Sequence, residues 1–429
     1  MILAVFLVGS LGAFGCGDDD SNGANNGDQD AGTQDTADPD DADEVAGCAP
    51  VDELGRLNSD ITEDTVISLE NGCRVVEGHI EVSANLTLEE GVSLYFEEDA
   101  GLNIRGGTLT ARGTEEDPVV LTATDPTPGI WSGVQYIDTR STQNVLEHVV
   151  IEYAGGQAFD GAAEAGLVLN STGITGDPVR VAVDNVTVRN SAELGMYVEE
   201  DTEFESFSNN TFTENGSAPI RVSATLMGAL DSESSFAGND SDFVLVQPIS
   251  DADITSGDHS WAALDVPYRV SESFEIRDDA HVDIEPGATI EFEEGLGINV
   301  EGATLSAVGT ADDPVTFRGA EQIDTFWQGI QFIGTRSADN RLEQVTISHA
   351  SNGSFSGAGA GSLVLNSAGI TGDPVDIALE SVTIDGFGDE AAVYVEPETT
   401  LTACSNLSGF TPADVAGDGA DDFIAECGL

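Results

Sequence analysis

From about residue 60 onward the apolar residues fall in short alternating runs. Leu86-Thr87-Leu88, Leu94-Tyr95-Phe96, Leu102-Asn103-Ile104, Leu109-Thr110-Ala111 and Val119-Val120-Leu121 follow one another, with Gly, Asp or Pro in the gaps. A two-residue period marks strands with one buried face. The runs are too short for a free hairpin to be stable. No useful length of the chain carries apolar residues at helical spacing, so the fold class is all-β. Segments 185–190 (Asn-Val-Thr-Val-Arg-Asn) and 210–215 (Asn-Thr-Phe-Thr-Glu-Asn) read as successive turns of one coil, with Val186 and Phe212 26 residues apart. A coil of about that length, with short strands and Asn/Gly corners, is what a β-solenoid requires.

A longer period lies over the short one. Gly-Thr-Glu-Glu-Asp-Pro-Val at 113–119 returns as Gly-Thr-Ala-Asp-Asp-Pro-Val at 309–315. Segment 167–179 returns at 363–375 with one change, Thr172 to Ala368. Trp131 matches Trp327 and Arg140 matches Arg336 at the same offset of 196 residues. The match runs without a gap from Gly91/Gly287 to Thr187/Thr383; Arg74/Arg269 and Tyr197/Tyr394 need single-residue shifts. Such self-similarity predicts two tandem copies of one unit, 48–250 and 251–429, either as one continuous coil or end to end.

The residues also carry a resemblance. Glu89-Glu90-Gly91, Leu94-Tyr95-Phe96, the stretch 107–119, Trp131-Ser132-Gly133-Val134 and the stretch 146–154 resemble the right-handed parallel β-helix family of bacterial surface and secreted proteins, with its pectate-lyase-like fold. In the second copy the same resemblance rests on Ile284-Glu285-Pro286-Gly287, the stretch 305–310 and Trp327-Gln328-Gly329-Ile330. It implies Val, Ile and Leu stacked in columns about a dry axis, polar turns and outward charges. It implies no single function, because that fold hosts lyases, hydrolases, adhesins and structural proteins.

Charge narrows the partners. There are 79 acidic residues against 13 basic ones, a net charge of −66, and every basic residue is Arg. Phosphate recognition needs a basic patch, so nucleic acid is excluded as a direct partner. Self-repulsion on this scale opposes a compact fold, and salt relieves it. Either saline surroundings or a solubility bias accounts for it; the saline reading requires a melting temperature that rises with added salt. With aromatics at 6%, the core must come from Val, Ile, Leu and Ala.

The N-terminal sequence reads as an address. Residues 1–15 are an apolar run too short to span a bilayer. Followed by Cys16, they resemble a lipoprotein-type signal peptide and lipobox at 1–16, which implies lipidation of Cys16. Segment 17–47 holds eleven acidic residues and scarcely a large apolar one. Such a segment cannot offset its ordering entropy, so it is expected to be a disordered acidic tether. The chain is then expected to be exported and held at a bacterial outer membrane or cell surface through a lipid, or secreted. Four further cysteines fall as two local pairs and allow three connectivities. The economical one, Cys48–Cys73 with Cys404–Cys427, closes a short loop near each end and implies an oxidising compartment.

Chemistry is sparse. Arg140 and Arg336 are candidate bases of a uronate lyase, near Asp138 and Glu147/Glu343; the alternative is a turn Arg neutralising adjacent acids. A polygalacturonase-like hydrolase would need a Lys, and the chain has none. None of the five histidines recurs in the other copy. Asp414, Asp418, Asp421 and Asp422 are candidate calcium ligands or a solvated acidic loop. Trp131 and Trp327 could stack on a sugar or inside the coil. The expected function is a non-catalytic surface scaffold for adhesion, glycan contact or envelope structure, with a polysaccharide or another surface protein as partner. The alternative is a carbohydrate-active enzyme, a lyase or hydrolase; no cofactor beyond calcium is implied.

Overall fold

The alternating runs wind into a three-sided coil in the structure, a computed structural model that describes residues 48–70, 72–159, 162–171, 177–248, 253–367 and 374–429. One turn of the coil is Gly101–Arg105, Thr108–Arg112 and Val119–Ala123, here called sides one, two and three. The next turn, Val134–Ile137, Val145–Glu147 and Val149–Glu152, pairs strand by strand in parallel: Val134 with Leu102, Val145 with Thr110, Val149 with Val119. The long ladders are all parallel, and the chain is a parallel β-helix.

Alternation puts one residue type in each column. On side one Ile80, Leu102, Val134, Leu167, Met196 and Ile220 stack with at most 1% exposure. Side three stacks Leu94, Leu121, Ile151, Val188 and Phe212 in the same way. Val188 faces Phe212, so this turn advances by 24 residues, as does the Asn210 bond to Val186 N–H; the expected 26 is corrected.

Corners explain the unusual polar residues. Between sides two and three a single left-handed residue resets the alternation: His148 (φ 51°) and Asn185 (56°), matched by Gln344 (52°) and Ser381 (56°). Inside the coil Asn144 and Asn340 hold the corner that leads into side two through side-chain hydrogen bonds. Each accepts from a backbone N–H (Leu109, 3.3 Å; Leu305, 3.1 Å). Each donates to a threonine hydroxyl and a carbonyl at 3.0–3.1 Å. A buried polar group that is fully bonded specifies the turn without a desolvation penalty. Gly133 and Gly329 have φ of 109° and 119°, and a Cβ there would sit 2.6 Å from a carbonyl oxygen of the next turn. The shared Trp-x-Gly is therefore a close-approach motif.

The two copies form one coil. Val244–Val246 pairs with Ile220–Val222 on one edge and Tyr268–Val270 on the other. The expected copy boundary, 250/251, falls outside the described residues, and the ladder passes across it. The same column continues through Thr289–Phe292 and Val315–Gly319. At the 196 offset those strands match Ser93–Phe96 and Val119–Ala123, which lie on side three. The second copy is thus seated one side out of phase: its third-side strands continue side one. The chain visits the three sides in a fixed order, so its second-side strands, such as Thr304–Val308, stand on the continuation of side three.

The ends are closed. Cys48 bonds Cys73, which is 1% exposed, and Cys404 bonds Cys427 in the short helix Ala420–Cys427. Phe423 of that helix packs into the last turn at 2% exposure. A bridge over a loop of this length contributes about 3 kcal/mol. Residues 1–47, with Cys16, the signal segment and the tether, lie outside the described residues.

Candidate functional site

Outward residues of side two form an open groove of about 460 Å³ in the first copy. Its floor is Thr87 and Thr110, in register on neighbouring strands, flanked by Val66 and Val145. Asn85, Thr108, Thr142 and Gln143 complete the walls, with Asp64 and Arg112 at the margins. Local bonds hold these groups: Asn85 Nδ2 donates to Asp64 (2.8 Å), Thr108 Oγ1 to Asn85 Oδ1 (2.8 Å) and Thr110 Oγ1 to the Gln143 carbonyl (2.7 Å). A donating hydroxyl keeps acceptor lone pairs, and the amides keep further sites. The groove is a nearly neutral surface of hydroxyls, amides and valine methyls.

The second copy repeats the groove at the 196 offset, with about 610 Å³. Its chemistry differs. Asn85 becomes His281, Thr87 becomes Asp283, Thr110 becomes Ser306, Gln143 becomes Asp339 and Val145 becomes Arg341. Arg341 reaches both Glu343 and Glu380 at 2.6 Å, and His281 Nε2 lies 3.3 Å from Asp283 Oδ1. This groove offers charged acceptors and donors where the first offers neutral ones.

Arginines elsewhere serve as clips between turns. Glu291, 4% exposed, accepts from Arg269 (2.6 and 3.0 Å) and Arg318 (2.7 and 3.1 Å), one turn on either side. Glu152 is held by Arg189 (2.7 Å) and the Thr122 hydroxyl (2.8 Å). Arg105, Arg112 and Arg180 clip exposed carboxylates of neighbouring strands.

The sequence candidates fall elsewhere. Arg140 is exposed and pairs with Asp177 (3.1 Å); Glu147 instead pairs with Arg112, and Glu343 with Arg341. Arg336 is exposed in the matching turn, and neither arginine lines a groove. Trp131 and Trp327 are fully buried, and their reading as sugar platforms is corrected. They stack on Phe96 (3.8 Å) and Phe292 (4.3 Å), and their N–H groups donate to Glu152 O and Ser348 O. Asp414 accepts from Thr411 N–H and Oγ1 (2.8 Å each) as a cap, while Asp421 and Asp422 occupy the first turn of the terminal helix. Among the described residues no three His, Cys, Asp or Glu side chains converge for a metal, and Asp414, Asp418, Asp421 and Asp422 form no such group. Arg74 and Arg269 are not equivalent either: Arg74 donates to the Gly72 and Cys73 carbonyls and stands opposite Leu94.

The grooves were not singled out from the sequence, although the signal was present. Leu86-Thr87-Leu88 and Leu109-Thr110-Ala111 place a threonine at the outward position of consecutive strands. What alternation does not give is which strands become neighbours on one side.

Compared with known proteins, the chain matches no family model, no curated protein and no solved structure.

Proposed function

We propose that this chain is an exported surface protein of the pectate-lyase-like β-helix type. It is held by a lipid on Cys16 and serves as a rigid acidic scaffold that contacts neutral glycans without cleaving them. The observation that carries the reading is the single parallel ladder across both copies, with open hydrogen-bonding grooves on its outward faces. A solenoid fixed in this way keeps its surface groups at constant spacing. Acidity points to a neutral ligand: at −66 the protein repels uronate polymers as well as phosphates. Arg140, the base a lyase would need, is in an exposed ion pair outside the grooves, and such a pair is worth little.

A panel of neutral and uronic polysaccharides tests the function. Retention of neutral chains with no new reducing ends or unsaturated uronate is expected. Product formation lost in Arg140→Ala and Arg336→Ala would establish the enzyme instead. Metabolic labelling with a palmitate analogue, present in the native chain and absent in Cys16→Ser, tests the anchor; equal labelling removes it.

A further inference from the structure

The two grooves occupy matching positions at the 196 offset but face different ways. The first lies on side two, among Thr87, Thr110 and Val145. The second, around Ser306 and Arg341, lies on the continuation of side three, because the duplication is one side out of phase. Along the axis, the ladder from Gly101–Arg105 to Thr289–Phe292 has seven steps. At about 4.8 Å per strand that is roughly 35 Å. A straight polymer lying on one side of the rod therefore cannot enter both grooves; to do so it would have to bend round an edge of the coil.

From this geometry we infer that the molecule is a bivalent clamp that joins two separate neutral glycan chains, one in each groove. The inference rests on the glycan reading above and adds the number and direction of the sites. Both grooves suit the same ligand class. Sugar hydroxyls both donate and accept, so they pair with the Thr, Asn and Gln groups of the first groove. In the second they pair with Asp283, Asp339 and Glu380 as acceptors and Arg341 as donor. Linking two sites on a rigid spacer turns weak single contacts into a stable junction.

The test uses the full chain with neutral glucans, mannans and galactans, each as a short oligosaccharide and as a long polymer. Thr87→Trp fills the first groove and Ser306→Trp the second; both positions point outward, and circular dichroism checks the fold. Gln143→Ala and Asp339→Ala give milder second variants. Calorimetry should find two oligosaccharides per native chain, with one lost in each Trp variant. Light scattering should show the native chain cross-linking the polymer and either Trp variant failing to do so. One oligosaccharide per native chain, or cross-linking that survives Ser306→Trp, overturns the clamp while leaving glycan contact standing. No binding to any neutral glycan removes both.

Discussion

The two copies agree on the inside and disagree on the outside. Trp131 on Phe96 and Trp327 on Phe292 are the same stacked pair, with ring planes within 11° and 6°. Asn144 and Asn340 make matching bonds, and Thr139 and Thr335 both donate to a carbonyl of the preceding turn. On the outward face of the third-side strands the first copy reads Tyr95, Thr122, Glu152, Arg189 and the second Glu291, Arg318, Ser348, Asp385. Each copy sets one carboxylate deep in this column, yet at different turns and with different clips. The interior must fit a fixed coil cross-section, so few side chains serve. A charged column needs only local neutralisation, which several arrangements supply. The duplicated scaffold was kept while its charges were re-sorted.

The largest expected effect tests the shared part. Trp131→Ala and Trp327→Ala should each cost about 3–5 kcal/mol, because each deletes a fully buried indole and its bond to a carbonyl. Chemical denaturation should give losses of similar size; a marginal effect in one copy would show that the two interiors are not equivalent. The unshared part comes next. Glu291→Ala leaves two guanidinium groups facing each other and should cost about 3 kcal/mol, the low end for a broken buried pair because Arg318 stays 37% exposed. Glu152→Ala strands one guanidinium, that of Arg189, itself 45% exposed, together with the Thr122 hydroxyl, and should cost less because no second guanidinium faces the first. An equal loss in the two variants would show that the two carboxylates are held equally strongly.

How much of this was legible follows from what each residue answers to. The strands answer to alternation and the offset to self-similarity, while the cysteine pairing is the economical one of three connectivities. The 26-residue step between Val186 and Phe212 came out as 24 because Val186 and Val188 both point inward, and alternation does not say which of them faces Phe212. Trp131 was ambiguous because an indole suits both a sugar and a dry core; Gly133, beside it, marks the close approach that seals it. The grooves were missed because they depend on which strands share a side. The one-side phase shift is set by the irregular turns around Val244–Val246, where no match to the other copy exists to read it from.

The smallest effect comes from a natural control in the same interior. Tyr136 and Phe332 occupy matching positions at the 196 offset, both fully buried. The Tyr136 hydroxyl has no hydrogen-bond partner among the described residues. Burial pushes its phenol well above the ordinary value. Tyr136→Phe should therefore be neutral or stabilising by about 1 kcal/mol at neutral pH, and Phe332→Tyr destabilising by about 1–3 kcal/mol. The pH dependence has a definite sign. The unfolded chain loses the phenol proton near pH 10, whereas the folded chain keeps it. The folded state then binds more protons, so its stability is full below about pH 10 and falls as the pH rises further. Tyr268, also raised by burial, and Tyr197, pushed up to about 12 by burial and by Glu199, add to the same slope. Thermal melts at about pH 8 and about pH 11 should show a smaller alkaline loss in Tyr136→Phe than in the native chain, and a larger one in Phe332→Tyr. A native-like alkaline loss in Tyr136→Phe would place the sensitivity on the other raised phenols, those of Tyr95, Tyr197, Tyr268 and Tyr394, and Phe332→Tyr would then show whether a buried phenol at this position matters in either copy.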